Sequence, residues 1–151
     1  MFVDCPGIDR HWGPVGAAGL ALFSDDGVGH LLLMRRSMAS HHGGVWSTPG
    51  GALEPFEDPA AAAVRETSEE LAVDLSGLRY LGQVVDLCEH CTWTYTTVIA
   101  AVPGRPPAAP SGWEADDALW IARSEVAAMD LHPGLRRRLT EILAAANCLT
   151  E

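Results

Sequence analysis

Three glutamates within five residues, Glu66, Glu69 and Glu70, carry the strongest chemical signal in this 151-residue chain. Spaced i,i+3 and i,i+4 on a helix, such side chains have Cβ atoms roughly 5–6 Å apart. In open solvent each like-charge pair costs only a few tenths of a kcal/mol, and the cluster is an ordinary acidic face. If the cluster is partly enclosed, at an effective dielectric near 20, each pair repels by roughly 3 kcal/mol, and protons or a cation must neutralise it. An all-oxygen donor set without histidine suits Mg²⁺ or Mn²⁺ rather than zinc. Spacing alone leaves the solvated face and the metal site equally weighted.

The carboxylates lie on a segment that signals a helix from about Pro59 to Ala72. Asp58 is a good N-cap and Pro59 suits the first helical position. At about 100° per residue, Ala60, Val64, Thr67, Ser68 and Leu71 are expected on a packing side and the three glutamates opposite. Upstream, Val15 to Phe23 is a strand-like run ending at the hairpin-type turn Ser24-Asp25-Asp26-Gly27. A second strand follows over Val28 to Arg35, with Leu31-Leu32-Leu33-Met34 at its centre. Ser40 to Gly44 reads as a polar loop, and Val45 to Gly51 as a short extended piece closed by Pro49-Gly50-Gly51.

Downstream, Leu78 to Leu87 and Thr92 to Val102 are β-rich, and Pro103 to Gly112 is a Pro-, Gly- and Ala-rich loop without a strand pattern. Ala118 to Ala122 is a short strand, Ser124 the cap of a helical turn, and Pro133 to Ala146 a closing amphipathic helix. Strands, helix, strands, helix is the order of an α/β (α+β) fold, a mixed β-sheet between helices. We expect one domain over residues 1–151.

Charge narrows the function. Ten Lys and Arg stand against twenty Asp and Glu, a formal charge of −10. A nucleic-acid polymer is recognised first through its phosphates, which requires a basic surface this chain lacks. A small phosphorylated ligand would be repelled too, unless cations bridge it to the protein. The longest apolar runs are far too short to span a membrane, and no basic-then-apolar leader is visible, so a cytoplasmic location is expected.

From Gly51 to Val73 the chain resembles the Nudix box, G-x5-E-x7-R-E-U-x-E-E-x-G-U, with U an apolar residue. Gly51, Glu57, Arg65, Glu66, Glu69, Glu70 and Val73 match. Thr67 stands where an apolar residue is expected and Ala72 where a glycine is expected. Trp46-Ser47-Thr48-Pro49-Gly50 looks like the lead-in to the box. The resemblance implies the Nudix fold and Mg²⁺- or Mn²⁺-dependent cleavage of a phosphoanhydride in a nucleoside diphosphate derivative. The expected substrate is a nucleoside triphosphate or oxidised nucleotide. Sugar nucleotides, ADP-ribose and dinucleoside polyphosphates are the rival substrates, and a non-catalytic nucleotide sensor is the rival class.

It further implies that Glu66, Glu69 and Glu70 hold the metal together with the carbonyl of Gly50. Arg65 is expected to orient these carboxylates beside the chemistry, with Glu57 behind it. Glu70 is the first choice for general base. Glu114, Asp116 and Asp117 are loop alternatives, equally readable as solvated acids. A homodimer is the assembly the resemblance allows for.

Other features are weaker. Cys88-Glu89-His90-Cys91 has zinc-like spacing, with Cys5, His41 and His42 as distant further ligands, but reduced thiols at a strand turn are the favoured reading. Trp12, Trp46, Trp93, Trp113 and Trp120 could stack a base, although each is more often packing. Arg35 and Arg36 end a strand near the expected phosphate site; His41 and His42 read as loop surface, and Arg136 to Arg138 as an exposed helix face.

Overall fold

The computed structural model describes residues 2–4, 10–12, 15–40 and 42–150. Strands β1 (Phe2–Asp4) and β2 (Arg10–Trp12) form a small antiparallel pair of their own. The main sheet uses β3 (Gly16–Asp25), β4 (His30–Arg36), β8 (Arg79–Leu87), β9 (Thr94–Pro103) and β11 (Ala115–Ala122), in the order β11-β4-β3-β9-β8. The short strands β5 (Trp46–Ser47) and β6 (Gly50–Ala52) join it beside β4 and β3. β3 and β9 run parallel while the other pairings are antiparallel, so the sheet is mixed.

Both faces of the sheet are covered, which explains the unbroken apolar run Leu31 to Met34, all of it buried. Ala18, Leu20, Leu22, Leu32 and Met34 face helix α1 (Pro59–Glu70), meeting Ala62 and Ala63. Ala21, Phe23, Leu31, Leu33 and Ile99 face helix α2 (Pro133–Ala145), meeting Leu135, Leu139 and Ile142. Successive residues of β3 thus alternate between two cores, as a pleated strand requires.

Local chemistry fixes the start of each helix. Asp58 Oδ1 accepts from the N–H groups of Ala60 (2.8 Å) and Ala61 (3.1 Å), with Pro59 following as expected. His132, which we did not foresee, caps α2 by accepting from Gly134 N at 3.0 Å. No helix of the described residues is long and apolar enough to cross a membrane.

Four expectations need correction. First, α1 ends at Glu70, and Leu71–Ala72 turn extended as β7, pairing with β10 (Ala109–Pro110) in the loop expected to lack a strand. Leu71 is extended at the helix end, so no left-handed glycine is needed at Ala72. Second, β11 begins at Ala115, earlier than its apolar pattern suggests, because pairing with β4 extends as far as Arg36.

Third, Ser124 is not a helix cap; the 3-10 turn Val126–Ala128 follows Glu125 without a side-chain cap. Fourth, the buried face of α1 is Ala62, Ala63, Thr67 and Glu70, while Ser68 is exposed. Polarity assigned Glu70 to the outside. The underlying strand decides otherwise, because the glycines of β6 leave space for carboxylates there. Thr67 satisfies its hydroxyl by donating to Ala63 O at 2.7 Å, which accounts for a polar residue at an apolar box position.

Candidate active site

An open cleft of about 1560 Å³ runs along the sheet beside α1 and the start of α2. Gly50, Gly51, Glu66, Glu69, Glu70 and Glu114 line one part of it. β6 lies under the carboxylates because Gly50 and Gly51 have no side chains. A Cβ on Gly51 would overlap the Glu66 carboxyl, lying 2.6 Å from each oxygen, and a Cβ on Gly50 would lie 2.7 Å from Gly19 Cα. The Pro49-Gly50-Gly51 segment is therefore a close backbone approach and not merely a turn.

Arg65 organises the acidic groups. Its Nε donates to Glu57 Oε2 and its Nη2 to Glu57 Oε1, both at 2.9 Å, a two-pronged grip. Nη2 also donates to Ala52 O (3.0 Å), and Nη1 reaches Glu66 Oε1 (3.0 Å) and Glu69 Oε1 (3.3 Å). The Arg65 hydrogen bonds, aided by the Glu54 N–H, hold the Glu57 carboxyl down at about 2. Burial is the main influence on Glu66 and holds its carboxyl above the ordinary range, despite Arg65.

Glu70 is the outlier. It is 5% exposed, and its Oε2 accepts from Gly50 N at 3.0 Å. Burial, then hydrogen bonding and charge repulsion from Glu114, push its carboxyl up to about 10. A buried carboxyl in that condition takes a proton or a cation. The hard oxygen donors around it fit Mg²⁺ or Mn²⁺. Among the described residues the side chains do not form a ready three-ligand cage, since Arg65 draws Glu66 and Glu69 toward itself.

The loop acids separate cleanly. Glu114 lines the cleft and meets Glu70. Asp116 pairs instead with Arg35 Nε at 2.7 Å, and Asp117 accepts from Ala118 N at 2.8 Å. Arg36, His42, Trp93, Trp113 and His132 also line the cleft, whereas Arg35 lies over the Trp46 ring at 5.8 Å. His42, read as loop surface, packs edge-to-face on His132 with centroids 4.7 Å apart. Of the Arg136 to Arg138 run only Arg137 reaches the cleft, while Arg136 donates to Ala127 O and Met129 O.

Tyr95 was missed. Burial first, and the Glu70 charge second, push its hydroxyl up to about 12, and that hydroxyl would lie 3.0 Å from a Cβ on Gly50. Strand alternation puts Trp93, Tyr95 and Thr97 on one face of the chain, and that period was the available signal. Cys88 and Cys91 lie at the β8–β9 turn, while Cys5 and His41 lie outside the described residues.

The NUDIX domain model matches residues 13–142, most of the chain and all of this site. The chain belongs to the Nudix family. A Mycobacterium tuberculosis relative that carries the provisional name 8-oxo-dGTP diphosphatase 3 is 41% identical over 130 residues. That match covers 82% of this chain but only 59% of the relative, so the chain spans about three fifths of its length. A crystal structure of a Nudix hydrolase from M. smegmatis, RenU, superposes with a TM-score of 0.84 at 34% identity, covering 95% of this chain and 94% of that one. A C. elegans Ap4A hydrolase shares the Nudix fold at TM-score 0.65 and 22% identity, covering 85% of this chain and 98% of that one.

Proposed function

We propose that this Nudix protein hydrolyses a phosphoanhydride bond of a nucleoside triphosphate or an oxidised nucleotide, with Mg²⁺ or Mn²⁺. The observation carrying this reading is the Glu70 carboxyl, buried beside Glu66 and Glu114 in the lining of the cleft. The name of the M. tuberculosis relative supports the nucleotide class.

Glu66, Glu69, Glu70 and the carbonyl of Gly50 would hold the cation. When bound, a divalent cation offsets the charge of the diphosphate and lowers the pKa of water near it. Arg65 holds Glu66 and Glu69 in place and is itself braced by Glu57. With a cation bound the Glu70 carboxyl would be ionised and would accept the proton of the attacking water, and Glu114 lies against it as an alternative acceptor. Bridging by cations reconciles a charge of −10 with an anionic substrate.

The test is release of phosphate, pyrophosphate and nucleoside monophosphate from a nucleotide panel with Mg²⁺. Wild type is compared with Glu69→Gln, Glu70→Gln, Glu114→Gln and the control Asp116→Asn. The expected result is a loss of about 10²-fold or more for Glu69→Gln and Glu70→Gln, with Asp116→Asn near wild type. Unchanged turnover in Glu69→Gln and Glu70→Gln sinks the assignment, and tight binding without turnover by wild type supports the sensor class instead. The cleft of about 1560 Å³ exceeds the roughly 300–1,000 Å³ of ordinary ligand pockets, which favours including dinucleoside polyphosphates as a second reading. A cytoplasmic location, a single domain and a homodimer remain part of the same proposal.

A further inference from the structure

The loop between β10 and β11 is tied down almost throughout. Ala109–Pro110 pair with Leu71–Ala72. Ser111 N then donates to Glu70 O at 2.9 Å and Ser111 Oγ to Glu69 O at 3.0 Å. On the far side Glu114 O accepts from Ser37 N at 2.9 Å, and β11 begins at the next residue. Only Gly112 and Trp113 stand between these anchors, so the indole is carried on a two-residue tip beside the carboxylates.

Trp113 is 67% exposed, lines the cleft, and belongs to neither core cluster. Trp46 lies against the α2 core, Trp120 lies against the α1 core with Nε1 donating to Pro106 O at 2.8 Å, and Trp93, which also lines the cleft, lies beside the Tyr95 ring with centroids 6.3 Å apart. An indole left in water on a short, doubly anchored tip has little backbone mobility left to lose on binding, and its apolar face gains when covered. Glu114, the next residue, reaches Glu70, so a ligand whose phosphates lie at the carboxylates has its other end near this ring.

We propose that Trp113 is the stacking platform for the substrate's base and a specificity-determining residue of this site. The idea rests on the nucleotide reading given above. A flat heteroaromatic group fits the ring face without needing a particular hydrogen-bond pattern, so Trp113 strengthens binding of bases generally and discriminates strongly against ligands with no base. Ring stacking acts on binding and leaves the carboxylates that act on the anhydride in place.

The experiment measures equilibrium binding of dGTP and of inorganic tripolyphosphate, each with Ca²⁺, to wild type, Trp113→Ala and Trp113→Phe. Steady-state kinetics on dGTP with Mg²⁺ run alongside. Trp113→Ala is expected to weaken dGTP binding by roughly ten- to hundred-fold and to leave tripolyphosphate binding within two-fold. Trp113→Phe restores most of the loss, and in the kinetics KM rises while kcat stays within about two-fold.

Equal weakening for both ligands would overturn the proposal, because it would mean that the residue only positions Glu114. Wild-type affinity of Trp113→Ala for dGTP would overturn it as well. The hydrolase reading is decided separately by wild-type turnover. A wild type that binds dGTP without cleaving it, and loses that binding in Trp113→Ala, supports the stacking role while ending the catalytic one.

Discussion

Glu70 and Gly50, twenty residues apart, are joined by a 3.0 Å hydrogen bond from the Gly50 N–H to the Glu70 carboxyl. That contact connects the last turn of α1 to the strand crossing beneath it. It also identifies the residue with the greatest leverage on both stability and chemistry. A buried acid whose carboxyl is held up to about 10 is retained at a stability cost unless something cationic joins it.

Replacing Glu70 by Gln is therefore expected to abolish turnover yet stabilise the metal-free protein. The amide oxygen can still accept from Gly50 N, and the amide N–H₂ can donate toward Glu114. The folded-state pKa of Glu70 is raised above its unfolded value of 4.5, so its contribution is fully present below pH 4.5 and is lost as pH rises toward 10. Thermal denaturation in chelator should show wild type falling between pH 5 and pH 9 and the variant falling less. At pH 8 the variant should be more stable by roughly 1–3 kcal/mol. Added Mg²⁺ should raise the wild-type Tm more at pH 8 than at pH 6. A wild-type curve that rises with pH in chelator would contradict this account.

The Arg65 grip on Glu57 gives the opposite pH sign. The Glu57 carboxyl is held down at about 2, below its ordinary 4.5, so its contribution is present above pH 4.5 and is lost as pH falls toward 2. Glu57→Gln should flatten the acid limb of the stability curve in that window. Arg65→Lys removes the two-pronged geometry while keeping the charge, and kcat/KM should fall by about 10- to 100-fold. Near-wild-type kinetics for Arg65→Lys would mean that only the charge matters.

Gly51→Ala should weaken Mn²⁺ binding by about tenfold or more, measured by electron paramagnetic resonance titration, because the new methyl occupies the space of the Glu66 carboxyl. Its far-ultraviolet circular dichroism should match wild type. Unaltered Mn²⁺ affinity would show that the Glu66 position is not needed for the ion.

Phe56 adopts a left-handed backbone at φ +65° with its ring fully exposed. Non-glycine residues there are strained by roughly 1 kcal/mol, so Phe56→Gly should raise Tm by about 2–4 °C with kcat unchanged. A lower Tm would mean that the ring makes contacts in solution that offset the strain.

Much of this molecule could be read along the chain. Although the turn expected from Ser24 begins only at Asp26, because β3 runs on through Asp25, the cap at Asp58 and the strand around Leu31 to Met34 are local patterns, and each formed where its residues indicated. So did the spacing of Glu57, Arg65, Glu66, Glu69 and Glu70, because one helix carries four of them on a fixed geometry.

What the sequence could not decide was which helix face is buried, which loop acid arrives, and which aromatics face the cleft. Glu70 is buried because β6, which begins with Gly50 and Gly51, passes beneath it. Glu114 meets Glu70, and Asp116 does not, because Asp116 sits at the irregularity between Ala115 and Asp117 in the β11–β4 pairing, where its carboxylate pairs with Arg35. Tyr95 arrives through the parallel pairing of β9 with β3. The local elements were fixed by residue preference and period over a few residues. The proton-holding environment of the site exists only after segments distant in sequence have excluded water from between them.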